Sequence, residues 1–144
     1  MWNKLNVKRL SEKIVFFVFI WYTDFSKRRN KMYYTYMLRC ENNSIYTGIT
    51  TDVKRRMEEH FSKDPKCAKY TKSHKPIKLE CVWESENKAL ASKLEYRLKA
   101  LTKQQKEELI KNHTLEKYLV EKIECDKYKI VKNMSIIFEN FTKK

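Results

Sequence analysis

Glycine is nearly absent from this chain: of 144 residues only Gly48 is one, and only two are proline. An isolated glycine within a strand pattern marks a bulge or a point where another group comes close to the backbone. Gly48 is therefore the one place at which the sequence asks for such an approach. Paired cysteines are missing too. Cys40, Cys67, Cys81 and Cys125 are widely and irregularly spaced with no CxxC among them, which predicts free thiols in a reducing cytoplasm. The same lack of close ligand pairs argues against a zinc site built from Cys40, Cys67, Cys81 and His74. No apolar run reaches the ~20 residues that a membrane-spanning helix needs. The longest run, residues 14–22, is roughly half that length and stands between Lys13 and a basic cluster at residues 27–31. No small-residue cleavage site follows it, so a signal peptide is not expected either. Negative charge is the last scarcity. The 18 Asp and Glu are outnumbered by 32 Lys and Arg, for a net charge of +14 and a pI near 9.6. Polyanions are the natural partners of such a chain, although a composition biased towards Lys, Asn, Ile and Tyr would raise the charge without one.

A length of 144 residues with 42% hydrophobic and 13% aromatic content suffices for one folded domain without disulfides or structural metals. Regular patterning begins near residue 32. We therefore expect three regions: an N-terminal extension over 1–31, a patterned domain over 32–111 and a helical or apolar C-terminal extension over 112–144. Met32 is also a candidate natural start, with the first 31 residues an upstream addition.

Within the patterned region, Tyr33 to Arg39 is a β-branched and aromatic run of strand length. The turn Glu41-Asn42-Asn43-Ser44 leads into a returning strand, Ile45 to Ile49. Thr51 or Asp52 caps a helix that buries Val53, Met57 and Phe61 at i, i+4 and i+8, with Arg56 and His60 on a neighbouring face. Residues 65–78 form a basic loop ending at Pro76. Ile77, Leu79, Cys81 and Trp83 then alternate with polar or smaller neighbours, as in a strand with one buried face. A helix from Asn87 to Ala100 carries a Leu90, Leu94, Leu98 and Leu101 stripe, and Thr102 to Gln105 has the form of a capping box opening another helix. The order ββαβαα predicts an α+β fold: a three-stranded antiparallel sheet flanked by helices. Leu115, Leu119 and Ile123 at helical spacing suggest one more helix in the tail, where residues 135–141 are also apolar.

The candidate chemistry gathers around Gly48. Tyr36 and Tyr46 stand ten apart across the hairpin, so both can point to one face of the sheet. Arg56 lies within the next helix, and Glu95 stands beside the leucine stripe of a later one. Taken singly, each has an ordinary reading: packing tyrosines, a solvated arginine, a Glu95–Lys99 surface pair. Taken together, the fragments Tyr34-Thr35-Tyr36 and Tyr46-Thr47-Gly48, with Arg56 and Glu95 following in order, resemble the GIY-YIG nuclease family and particularly its small single-domain bacterial branch. The stretches YTGITTDVKRRMEEH, KYTKSHKPIKL and ALASKLEYRLKALTKQQK carry that resemblance over residues 33–111. It implies a metal-dependent endonuclease. Glu95 would hold Mg²⁺ or Mn²⁺, Arg56 the phosphate oxygens, and Tyr46 would deprotonate the attacking water, with Tyr36 positioning it and His60 binding phosphate or relaying a proton. Tyr34 and Thr35 replace the family's Gly and Ile, and Ile49 replaces a lysine of the excision-repair relatives. No asparagine stands after Glu95 where many members keep one. Lys66, Lys69, Tyr70, Lys72, His74, Lys75, Lys99, Lys103 and Lys106 would track a nucleic-acid backbone without reading bases. DNA in single-stranded, flap or branched form is the expected partner, with RNA an open second. A catalytically silent binding module of the same fold is the main alternative, and a subunit docking through residues 14–22 or the tail is the weaker one.

Overall fold

The computed structural model describes residues 31–132. The apolar run at 14–22, the basic cluster up to residue 30 and the apolar stretch at 135–141 lie outside the described residues. Strand β1 (Tyr33–Cys40) and strand β2 (Ile45–Thr50) form the expected hairpin, in which Tyr36 faces Gly48 and Leu38 faces Tyr46 across the ladder. Asn43 takes a positive φ in the turn, which an asparagine tolerates. Helix α1 (Val53–Phe61) is capped by the Asp52 side chain, which accepts from the Arg55 amide, and buries Val53 and Met57 as the spacing predicts. Helix α3 (Lys88–Ala100) is capped by Asn87 and helix α4 (Lys103–Asn112) by the Thr102–Gln105 box.

Between α1 and strand β3 (Pro76–Ser85), the expected loop of residues 65–78 contains a short helix, α2 (Lys69–Ser73), and Pro76 opens the strand. Strand β3 departs from simple alternation. Its pairing with β1 shifts between Met37 and Leu38, so that Met37 faces Cys81 while Leu38 faces Leu79. An extra residue in one strand reverses the inward and outward faces beyond it. Cys81 and Trp83 therefore pack on one side of the sheet, Leu79 joins Val82 on the other, and Ile77 is 42% exposed.

Among the described residues the sheet has four strands, ordered β2-β1-β3-β4, where three are expected. The added edge strand, β4 (Lys129–Ile130), pairs with Trp83 and Glu84. It is too short, and too similar to its Lys-rich surroundings, to stand out in the sequence. The segment before it forms one turn of helix, α5 (Glu116–Leu119), followed by a 3₁₀ turn at Cys125–Lys127. Leu115, Leu119 and Ile123 are buried as the spacing implies, although the helix that carries them is only a single turn.

Helices cover both faces of the sheet. Met37, Cys81 and Trp83 pack with Leu94, Leu98, Leu109, Leu119 and Tyr128 on the α3 side. Tyr36, Leu38, Leu79 and Val82 pack with Val53 and Met57 on the α1 side. A half-buried network joins the layers: Arg39 binds Glu107 through both Nη atoms at 2.8 and 2.7 Å and Glu80 through Nε at 2.5 Å. Because Leu119 is almost fully enclosed by the α3-side core, Leu119→Ala is expected to destabilise the domain by about 2–5 kcal/mol. Urea unfolding checks this. A loss under about 0.5 kcal/mol, the range of surface substitutions, would mean that residues 113–130 do not belong to the folding unit.

Candidate active site

Strand alternation sends Tyr36 and Tyr46 to the α1 side, and α1 presents Arg56 and His60 to them. Tyr36 is fully buried. Its ring lies over Gly48 so closely that a Cβ there would sit 2.5 Å from the Tyr36 hydroxyl and 2.7 Å from the ring carbon bearing it. This is the close approach that the lone glycine announces. The Tyr36 hydroxyl is 2.8 Å from His60 Nε2 and accepts from Arg56 Nε at 3.3 Å. His60 is fully buried, and its Nδ1 lies 2.8 Å from the Thr71 hydroxyl, which donates to the Ala68 carbonyl. Arg56 Nη1 donates to Glu59 at 2.8 Å and to the Lys66 carbonyl at 3.0 Å. The guanidinium is thus fastened on one side and held in a defined plane.

The electrostatics follow from burial and from these partners. Burial, and next the neighbouring Tyr46, push the Tyr36 hydroxyl well above the ordinary phenol range against the opposing pull of Arg56. Tyr36 stays protonated. Burial, then the Arg56 charge, depresses the His60 imidazole from 6.5 to about 4, so it is neutral at physiological pH. The hydrogen bond from Arg56 holds the Glu59 carboxyl below its usual range despite some burial. Glu59 and Thr71 are absent from the sequence-derived set. Glu59 was findable, since it stands three residues after Arg56 and four after Arg55, at helical pairing distance. Thr71 left no signal.

Tyr46 is half-buried, with its ring 6.3 Å from that of Tyr36 and 5.6 Å from that of His60. Its other neighbour is Tyr70, 5.9 Å away and nearly parallel, with His74 stacked on Tyr70 at 4.3 Å. Here a groove of about 300 Å³ is lined by Ile45, Tyr46, Thr47, Tyr70 and Lys99. Glu95 is not in hydrogen-bond contact with the tyrosine cluster. It comes from α3, in the opposite layer, and pairs with Lys99 at 2.8 Å, so it reaches the groove through that partner. Lys106 Nζ approaches the Lys99 carbonyl at 3.5 Å, and burial together with the Lys99 charge lowers its ammonium. Lys66, Lys69, Lys75 and Lys103 are exposed, whereas the exposed Lys72 ammonium donates to the Pro65 carbonyl within its own loop.

A metal can be tested against this donor set. Among the described residues there is no cluster of three or more His, Cys, Asp or Glu suited to hold an ion. One partly buried carboxylate fits a hard cation that keeps most of its waters and arrives with phosphate oxygens, not an all-protein cage. No helix among the described residues is long and apolar enough to cross a membrane.

The arrangement of two tyrosines, an arginine and a histidine beside a hairpin glycine agrees with the comparison to known proteins. The sequence model of the GIY-YIG catalytic domain matches residues 32–108, and the chain belongs to that family. Within it, the chain is similar to a group of small bacterial and archaeal proteins. It is 50% identical over 78 residues to the UPF0213 protein FN1575 of Fusobacterium nucleatum, covering 54% of this chain and 76% of that one. It is 38% identical over 98 residues to the UPF0213 protein YsiG of Lactococcus lactis, covering 67% and 92%. The solution NMR structure of the UPF0213 protein BH0048 from Bacillus halodurans matches at 40% identity over 56% of this chain and 84% of that one, with a TM-score of 0.38. The domain therefore has a nuclease-type fold that implies nucleic-acid binding.

Two outcomes follow from this geometry. Gly48→Ala is expected to displace the Tyr36 ring and cost about 1–3 kcal/mol in overpacking, read as a lowered urea midpoint and altered aromatic NMR shifts; an unchanged spectrum refutes the contact. His60 binds fewer protons folded than unfolded. Its neutral form contributes fully above about pH 6.5, and stability falls as the pH drops towards 4, by at most about 1.4 kcal/mol per pH unit. His60→Gln should flatten that part of the pH–stability curve while carboxylate effects remain, and an identical slope in the two proteins would contradict the assignment.

Proposed function

We propose that the chain is a divalent-metal-dependent endonuclease that hydrolyses DNA phosphodiester bonds, acting on single-stranded, flap or branched DNA in repair or recombination. The observation that carries this reading is the packing of Tyr46, which lines a groove, against the buried Tyr36 and His60 that hold Arg56, with Lys99 on the same groove ion-paired to Glu95.

Phosphodiester hydrolysis needs an attacking water to lose a proton, the phosphate to be held while charge accumulates, and the leaving 3′-oxygen to be relieved of charge. Tyr46 is the phenol that lines the groove, so it takes the water's proton. Arg56 is held through Nε and Nη1 by Tyr36, Glu59 and Lys66, so its Nη2 edge is left for phosphate oxygens. Glu95 is the residue that would hold Mg²⁺ or Mn²⁺. Bound there with the substrate, such an ion would stabilise charge on the leaving oxygen. Before it can do so the carboxylate must give up Lys99, an exposed i,i+4 pair worth no more than about 1 kcal/mol. Lys99 then faces the groove with Lys106 close by, two cations suited to a phosphate backbone. Lys66, Lys69, Lys72, Lys75 and Lys103 extend the basic surface, with the Tyr46–Tyr70–His74 stack as the aromatic surface beside it.

The Glu95–Lys99 pair also favours the second reading, a catalytically silent nucleic-acid-binding module in which Lys99 permanently occupies the carboxylate. One experiment separates them. Purified protein is incubated with labelled single-stranded, duplex, flap and branched DNA in Mg²⁺ or Mn²⁺ beside Glu95→Ala. Metal-dependent cleavage lost in the variant is the expected outcome. Binding without cleavage by the native protein supports the silent module, and equal cleavage by Glu95→Ala removes Glu95 from the mechanism.

A further inference from the structure

The hydrogen bonds behind Arg56 have a direction, and Thr71 determines it. The Thr71 hydroxyl has one hydrogen and donates it to the Ala68 carbonyl at 3.0 Å, an oxygen that can only accept. Towards His60 Nδ1, 2.8 Å away, Thr71 has only lone pairs left, so Nδ1 must carry the ring hydrogen. In a neutral imidazole the other nitrogen is then bare, and Nε2 accepts from the Tyr36 hydroxyl at 2.8 Å. Having given its hydrogen to His60, the Tyr36 oxygen presents a lone pair to Arg56 Nε. In the opposite tautomer the Tyr36 oxygen would accept from both the ring N–H and the Arg56 Nε–H, and its own hydrogen would lose the imidazole as its acceptor. That tautomer would also leave His60 Nδ1 facing a hydroxyl already committed elsewhere, inside a site from which water is excluded.

We propose that Thr71 is a positioning residue of the active site, acting through the His60 tautomer and the Tyr36 hydroxyl to fix the plane in which Arg56 meets phosphate. Tyr36 is a link in this chain: its only hydrogen is held by His60, and its oxygen serves Arg56. Tyr46 is left as the phenol free to meet water. The placement of α2 acquires a purpose as well. The segment that supplies Thr71 also supplies the Lys66 carbonyl that holds Arg56 Nη1, so the basic segment and the guanidinium are set together. The effect on cleavage rests on the endonuclease reading; the direction of the chain does not.

The test therefore begins without DNA or metal. ¹⁵N-histidine-labelled protein at neutral pH is expected to show His60 with Nδ1 protonated and Nε2 in the bare, hydrogen-bond-accepting form. Thr71→Val keeps the shape and removes the hydroxyl, so it should shift His60 to the other tautomer or to a mixture, and Thr71→Ser should restore the native pattern. A native His60 protonated at Nε2 overturns the proposal even if Thr71→Val fails to fold. A folded Thr71→Val with an unchanged tautomer overturns it equally. In single-turnover cleavage, Thr71→Val should lose about tenfold or more in rate, as orienting partners typically do, with half-saturating DNA nearly unchanged and recovery in Thr71→Ser. A shifted tautomer with undiminished rate would refute the link to Arg56. Absence of cleavage in the native protein beside the expected tautomer would instead count against the endonuclease reading alone.

Discussion

The Tyr36 ring resting on Gly48 is the contact on which the rest of the site depends. Cross-strand partners in a hairpin normally hold their side chains apart by at least a Cβ on each strand. Here one Cβ is missing, and the phenol lies across the neighbouring backbone instead of standing upright under α1. That inclination brings the hydroxyl beneath His60 and Arg56. Any other residue at position 48 would lift the ring into the space that α1 occupies, and the helix, the histidine and the guanidinium would have to move together. A chain that spends its single glycine at this point places its backbone freedom where a functional group requires it.

Charge is handled differently on the two faces of the sheet. On the α3 side, Arg39 is bound by Glu80 and Glu107 and by the Asn43 side chain, a half-buried network that ties β1, β3 and α4. On the α1 side, the buried groups nearest the guanidinium are neutral: Tyr36 is kept protonated and His60 unprotonated, largely by burial. Glu59 supplies the carboxylate that binds one edge of Arg56, and it is shared with Arg55. The result is a cation anchored but not fully neutralised, next to polar groups that add no competing positive charge. A protonated His60 there would repel the arginine that it helps to place.

Much of this was legible in the sequence, and the failures have physical causes. Hairpin, caps, leucine stripe and capping box are local signals, each carried by residues within a few positions of one another, and they hold. Residues 76–84 mislead because a bulge reverses the faces midway, and alternation alone carries no mark of a bulge. The fourth strand is two residues long and gains its stability from pairing with Trp83 and Glu84, a long-range contact. In the site, Tyr36, Tyr46, Arg56 and His60 were selected by resemblance and order, and the fold does gather them. Thr71 was invisible because its importance lies in which of its neighbours accepts its single hydrogen. That is a property of three-dimensional geometry and not of residue type or spacing.

The division of the site between two layers has its own logic. Consecutive residues of an edge strand point alternately to the two faces, and the groove is lined by three in a row, Ile45, Tyr46 and Thr47. Ile45 packs with the α3-side core and Tyr46 with the α1-side core, so the groove wraps the outer edge of β2. A hydrolytic site needs a proton acceptor and a charge-stabilising group on opposite sides of the reacting phosphorus, since the attacking and leaving oxygens lie roughly in line. Within a sheet's interior, the backbone would stand between groups held on opposite faces. At the edge, Tyr46 from one layer and Lys99, with Glu95 behind it, from the other can address the same space around the end of the ladder. On the proposed endonuclease reading, one sheet with a helix layer on each face would thereby offer a phosphodiester two-sided access at its edge.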